Sequence, residues 1–278
     1  MEVNMKVKMK PILFTSEMAK KIRGFYKNQT RRTNGLEEIN KDNPDSWNLI
    51  KAVTAGNLLV RFNHSMNKIE KEFSSKYSIG DYLWVKEPWR FSAIFKYEYK
   101  SSLMYKQPED KWNPSLHMHF DASTIFLKII NIRIERLKDI SVEDCLNEGV
   151  DNFIDEDGIH YFYVYPLKEK GCSRSIMGHP VGLCNSYISK GILGIKNPEK
   201  FAFQSLWQSI NGFKSWYKNP WVWVYEFEKI NTEHGKCFIC GCTDSDCSQC
   251  IEKTGKPCDW ANAANTVCTA CKPNLKKK

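Results

Sequence analysis

No run of apolar residues in this chain is long enough to cross a bilayer. The opening stretch MEVNMKVKMK lacks the apolar segment of a secretory leader. Both absences point to the cytoplasm and away from a membrane. No internal repeat is present. Histidine is scarce, with six residues, and no pair of histidines or cluster of metal-binding carboxylates stands out. Chemistry that needs either one, such as many forms of RNA cleavage, has no visible carrier.

The chain does have enough apolar material for a core. Its 278 residues are 42% hydrophobic, enough for one large domain or two smaller ones. Aromatic residues make up 13%, including nine tryptophans, and many of those rings must be buried or must line a pocket. The net charge of +9 favours polyanionic partners, nucleic acid first, although part of the excess serves solubility. In a cytoplasmic chain the eleven cysteines are thiols or metal ligands rather than disulfides.

The pattern of elements predicts an α+β fold. After an N-terminal extension (1–9), KPILF reads as a buried strand. A helix follows, capped by Ser16, with Met18, Ile22 and Phe25 on one face and Gly24 at its end. KNQTRR, from Lys27 to Arg32, then falls in a loop. Residues 34–75 read as a polar insertion with at most one helix. Tyr82–Glu87 reads as a strand ended by Pro88, and 92–116 as a second excursion. STIFLKIINIRIERL is the strongest strand signal. Ser141 and Asp144 after it resemble a capping box, with Gly149 as the helix stop. A third insertion covers 151–200. FAFQSLWQSI is amphipathic, with Phe203, Leu206, Trp207 and Ile210 on one face, and NPWVWVYEFEKI alternates as a strand does.

Composition changes abruptly over residues 235–272, ahead of a basic tail (273–278). Cys237, Cys240, Cys242, Cys247, Cys250, Cys258, Cys268 and Cys271 crowd this stretch. The flanking pairs are of the C-x2-C type, whose tight turn lets two thiolates reach one tetrahedral ion. Eight thiolates suffice for two closed zinc sites with no position left for water, so the module is structural, and metal supplies its folding energy. The spacing leaves the grouping open. One arrangement gives the outer pairs one ion and the inner four the other, and an iron–sulfur cluster is a lesser option. Cys172, His179 and Cys184 mimic a third site, at irregular spacing.

Several stretches occur in an order that marks a family: KPILF…G…KNQTRR, GDYLWVKEPW, WNPSLHM, DISVEDCLNEGV and LWQSING…NPWVWVYEF. Over roughly residues 10–231 the chain resembles the ASCH domain, in the larger form that bacteriophages and prophages encode. Some of those proteins also carry a cysteine-rich tail. The resemblance implies a PUA-like β-barrel with flanking helices, related to RNA-binding modules. The implied partner is a nucleoside or a nucleic acid, RNA ahead of DNA, in a bacterial host cell, with no organic cofactor. One small bacterial member removes the acetyl group from N4-acetylcytidine with a lysine, a threonine three residues later and a distant glutamate. The matching positions here are Lys27, Thr30 and Glu148, with Arg32 on a neighbouring arginine. Lys27 lies three residues after Gly24, against two in the phage relatives.

The chemistry of that trio is coherent. A threonine hydroxyl attacks a carbonyl once a base takes its proton. A lysine is such a base when it gives up its charge, and the like charges of Arg31 and Arg32 disfavour the ammonium. An arginine can hold the oxyanion, and Glu148 can orient the lysine or carry a proton to the leaving amine. Trp84 and Trp89 are candidates to stack a base, Glu87 to accept from its amino group, and His117 to bond the ligand.

Each has a plainer alternative. Lys27, Arg31 and Arg32 also suit a phosphate-binding loop or a solvated one, Thr30 a turn hydroxyl, and Glu148 an exposed helix end. Trp84 and Trp89 also suit the core, and His117 a structural role. A non-catalytic reader of RNA, DNA or a modified base is the competing function, with a ribonuclease as a third.

Overall fold

The apolar run beginning at Met9 becomes the first strand of the computed structural model, which describes residues 9–41, 43–102, 111–166, 187–190 and 195–273. In chain order the elements begin with β1 (Met9–Leu13), α1 (Ser16–Arg23), β2 (Gln29–Arg32) and α2 (Glu37–Asn40). Next come β3 (Trp47–Ala55), β4 (Asn57–His64), β5 (Glu70–Ser78), β6 (Tyr82–Lys86), β7 (Trp89–Ser92) and β8 (Lys96–Tyr99). Then follow β9 (Phe126–Arg136), α3 (Val142–Asn147), β10 (Asn152–Ile154), β11 (His160–Tyr163) and β12 (Tyr187–Ile188). The last three are α4 (Pro198–Asn211), β13 (Trp221–Lys229) and α5 (Ser248–Thr254). The fold is α+β, as expected. Among the described residues the sheets stay open, and none closes into the expected barrel.

The chain forms two compact units. One comprises Met1–Phe25, Ile79–Ile130 and Phe227–Lys278, and the other Tyr26–Ser78 and Asn131–Glu226. In the first unit β1 runs parallel to β6, from Met9 opposite Tyr82 to Leu13 opposite Lys86. The start of β9 pairs antiparallel with β6, Phe126 facing Trp84. α1 is capped by Thr15, one residue before the expected cap, whose hydroxyl accepts from the Met18 amide. Met18 and Ile22 are buried, while Phe25 is exposed because the chain leaves the helix there at a positive φ of 63°. The second excursion contains β8, which closes a hairpin on β7.

Met9, Trp84, Phe120 and Phe126 build the core of this unit, and Ala261 and Val267 from the cysteine-rich stretch are buried with them. Each of the larger ones, such as Met9, Phe126 and Val267, contributes roughly 1.5–3 kcal/mol over exposure. The cysteine-rich stretch therefore belongs to the hydrophobic core of its unit.

The second unit corrects two expectations. KNQTRR is not all loop: Gln29–Arg32 forms β2, paired antiparallel with β13 from Gln29 opposite Glu226 to Arg32 opposite Trp223. A β-strand neighbour satisfies the backbone that the polar side chains suggested was solvated. Residues 34–75 are not a weakly patterned insertion either. Beyond the short α2 they form most of an antiparallel sheet, β3-β4-β5. Gly56, at φ 86°, makes the tight turn that sets Ala55 opposite Asn57. Its exposed residues mix Leu49, Ile50, Val53 and Leu59 with Lys51, Glu70 and Glu72, which hid its alternation.

α3 carries the expected Ser141 cap, whose hydroxyl accepts from the Asp144 amide at 3.0 Å, while the Asp144 carboxylate accepts from Arg31 and Arg133; Gly149 stops the helix at φ 82°. α4 buries Phe203, Leu206 and Trp207 but leaves Ile210 exposed. The third insertion contributes β10, β11 and β12. Cys172, His179 and Cys184 lie outside the described residues.

Candidate functional site

Lys27 reaches its place because the chain turns after α1 and docks on the end of α3, where the Asn28 amide donates to the Asn147 carbonyl at 3.1 Å. The Lys27 ammonium donates to the Glu148 carbonyl at 2.7 Å and to Glu148 Oε2 at 2.8 Å. Both residues are buried, 4% and 5% exposed. Arg31, on β2, shares the same carboxylate: its Nη1 donates to Glu148 Oε1 at 3.0 Å. Its Nη2 donates to Glu135 Oε1 at 2.5 Å and to Asp144 Oδ2 at 2.8 Å. Arg133 also donates to Asp144, at 2.5 Å, and is paired with Glu226. The Phe203 ring lies 5.7 Å from the Arg31 guanidinium.

Arg31 is thus the hub of a largely buried ionic network, and Glu148 joins Lys27 to it. Sequence reasoning found Lys27, Arg31 and Glu148 but missed Arg133, Glu135, Asp144 and Glu226. The signal was present in INIRIER, whose period of two puts Arg133 and Glu135 on one face of β9. For Asp144 the sequence suggests a place in the helix cap alone.

The charges follow from this geometry. Burial alone would lower Arg31, but Glu148, Glu135 and Asp144 outweigh it and hold its guanidinium charged. Burial lowers Arg32. Burial also pushes the Cys145 thiol up to about 12, so it stays protonated beside the network. For Asp144, burial acts upward, yet Arg31 and Arg133 prevail and hold it below the usual aspartate value. A depressed carboxylate stabilises the fold above its unfolded value, about 4, and that contribution is lost as pH falls through the lower folded value. Asp144→Asn should therefore flatten the fall of Tm with pH below about 4. An unchanged acid limb in the variant would refute this.

Thr30 is buried on β2 opposite Tyr225, on the strand face alternate to Arg31 and shared with Arg32. The structure therefore joins Lys27, Arg31 and Glu148 directly and sets Thr30 on the neighbouring strand face. A solvated or phosphate-gripping loop does not fit Lys27 and Arg31, since both are out of solvent and committed to carboxylates. An open groove of about 610 Å³ in the same unit is lined by Thr33, Glu37, Asn40, Trp207 and Lys218, and the trio does not contribute to it.

The other four candidates belong to the first unit. Trp84 is a core residue, edge-on to Phe120 at 5.6 Å. Trp89 is buried with Tyr97, Tyr99 and Met118. Glu87 is buried, and its carboxylate is taken by Arg23 and Ser101. Burial raises Glu87, and Arg23 opposes that rise. His117 is exposed in a short turn.

The eight cysteines form two sets. Cys237, Cys240, Cys268 and Cys271 make one, Cys242, Cys247, Cys250 and Cys258 the other, with the ligand atoms of each set within 4.8 Å of one another. This is the outer-pairs and inner-four arrangement. Gly241, at φ 76°, turns the chain so that its two neighbours enter different sets. The amides of Cys268 and Cys258 donate to the sulfurs of Cys237 and Cys247, at 3.4 and 3.1 Å, which favours thiolates. An all-sulfur donor set of this number fits a metal ion in each group.

No family model, no curated protein and no solved structure matches this chain. Among the described residues no helix is long and apolar enough to cross a membrane.

Proposed function

We propose that this chain is a cytoplasmic protein of the PUA-like ASCH type that acts as an amidohydrolase on N4-acylated cytosine, in a nucleoside or in nucleic acid. The observation that carries this reading is the buried 2.8 Å contact between Lys27 and Glu148, residues 121 apart in the chain. Three residues on from Lys27, Thr30 supplies the hydroxyl. Its Oγ1 attacks the acyl carbon while its proton passes to the Lys27 amine. The carbon–nitrogen bond then breaks as the proton moves to the exocyclic nitrogen, freeing the cytosine amine. Water cleaves the remaining threonine ester. Glu148 orients Lys27 and exchanges protons with it. Arg32, on the Thr30 face of β2, offers charge to the oxyanion. Tyr26, next to Lys27, holds its ring in solvent, where a base can stack.

We further infer that the cysteine sets hold zinc in a structural role, since four thiolates leave no open coordination position.

The commitment of Lys27 to a carboxylate favours a second reading, a non-catalytic module that binds RNA or a modified base. One assay separates the two. Purified protein is incubated with N4-acetylcytidine, and released cytidine is measured by chromatography. Thr30→Ala and Lys27→Ala serve as controls, with their folding checked by circular dichroism. The hydrolase reading expects release by the native chain and a loss of roughly 10²-fold or more in each folded variant. No release at high protein concentration would leave the binding module, to be followed by a panel of RNA and DNA ligands.

A further inference from the structure

We propose that the two cysteine sets are one binuclear metal–thiolate cluster in which Cys250 bridges the two ions. The proposal rests on the metal reading above and on no activity. In a tetrathiolate site with metal–sulfur bonds of about 2.3 Å, neighbouring sulfurs lie roughly 3.8 Å apart. The sulfurs of Cys240 and Cys268 are 3.7 Å apart, as one shared ion requires. The sulfur of Cys250 is 3.7 Å from Cys268 and 3.8 Å from Cys240. These three sulfurs outline one face of a single coordination tetrahedron. Yet Cys250 also lies 3.2 Å from Cys242, within its own set.

The local chain explains the crowding. A single residue, Gly241, separates a ligand of one set from a ligand of the other, so the two centres cannot move far apart. α5 presents Cys250 inward, 1% exposed, against both sets. Charge favours sharing. Eight thiolates around two divalent ions leave a large negative excess in a buried place, and a shared thiolate reduces it by one.

Sharing also frees a ligand. With Cys250 against Cys240 and Cys268, five sulfurs compete for the four positions of the first ion. Cys237 and Cys268 are fully buried, and Cys240 belongs to the triangular face, whereas Cys271 is partly exposed. Cys271 is therefore the sulfur left out of the first ion's four. Seven thiols lose their protons when two divalent ions bind, and no oxidant or reductant is involved.

The test uses the full chain loaded with cadmium-113. A shared sulfur gives two cadmium resonances, each split by the other through the Cys250 bridge. Two unsplit resonances would overturn the bridge and leave two independent metal sites. No bound cadmium, together with no zinc in freshly purified protein, would overturn the metal reading itself. Variants give a second readout by elemental analysis. Cys271→Ser should keep both ions, and Cys250→Ser should lose both. Loss of one ion in each variant would overturn the bridge.

Discussion

Arg31→Met destabilises the second unit by about 3 to 5 kcal/mol, the usual loss when one partner leaves a buried ion pair. The guanidinium is fully enclosed and answers three carboxylates, those of Glu135, Asp144 and Glu148. Methionine keeps most of the stem and its packing near Phe203, so the loss isolates the charge. What remains is a surplus of carboxylates with Lys27 and Arg133 as the cations facing them. Urea unfolding followed by tryptophan fluorescence measures the effect. The matched control is Arg61→Met, in the same unit, where the pair with Glu72 is largely exposed, at 41% and 63% for the two side chains. That change should leave the urea midpoint nearly where it is, because water and salt screen an exposed pair. Equal losses in the two variants would mean that the network contributes no more than a surface pair.

Metal removal has the second large effect. Chelation should unfold residues 235–272 and also perturb the core of the first unit. The stretch has little apolar material of its own, and what it has is spent on that core. Phe238 lies 4.9 Å from Phe126 and 5.7 Å from Tyr82, while Ala261 and Val267 are buried with Trp84. The Asn262 side chain donates to the Ser123 carbonyl at 2.9 Å, and the Ala263 amide to that of Asp121 at 2.7 Å. A strong chelator should therefore shift near-ultraviolet circular dichroism and tryptophan emission together, with zinc restoring both. Release of metal with no spectral change would make the module an independent appendage, as its sequence alone suggests.

That contrast shows what the sequence makes legible. Segments with one strong period are plain: KPILF, the β9 run, the α4 stripe and the alternating β13 all appear where their residues place them. Local chemistry is plain too, in the Ser141 cap and the cysteine spacing. Long-range neutralisation is not. Nothing local tells that KNQTRR pairs with β13, or that Arg31 finds carboxylates from β9 and α3. A basic cluster looks solvated until its counter-charges arrive from a hundred residues away. Trp84 and Glu87 mislead for a related reason. A tryptophan within a strand and a carboxylate just past its end suit a pocket or a core until the residues packed on them are known, here Phe120 and Arg23.

The interleaving of the two units bears on synthesis. The first unit is assembled from the beginning, a middle portion and the end of the chain. Its first strand leaves the ribosome long before the last cysteine. At about 5–20 residues per second the interval is on the order of ten seconds to a minute. Until it ends, Met9, and then Trp84 and Phe126 as they emerge, lack Ala261 and Val267, which are finally buried with them. The burial of Ala261 and Val267 with Met9 and Trp84 therefore waits for the cysteine-rich stretch to be made.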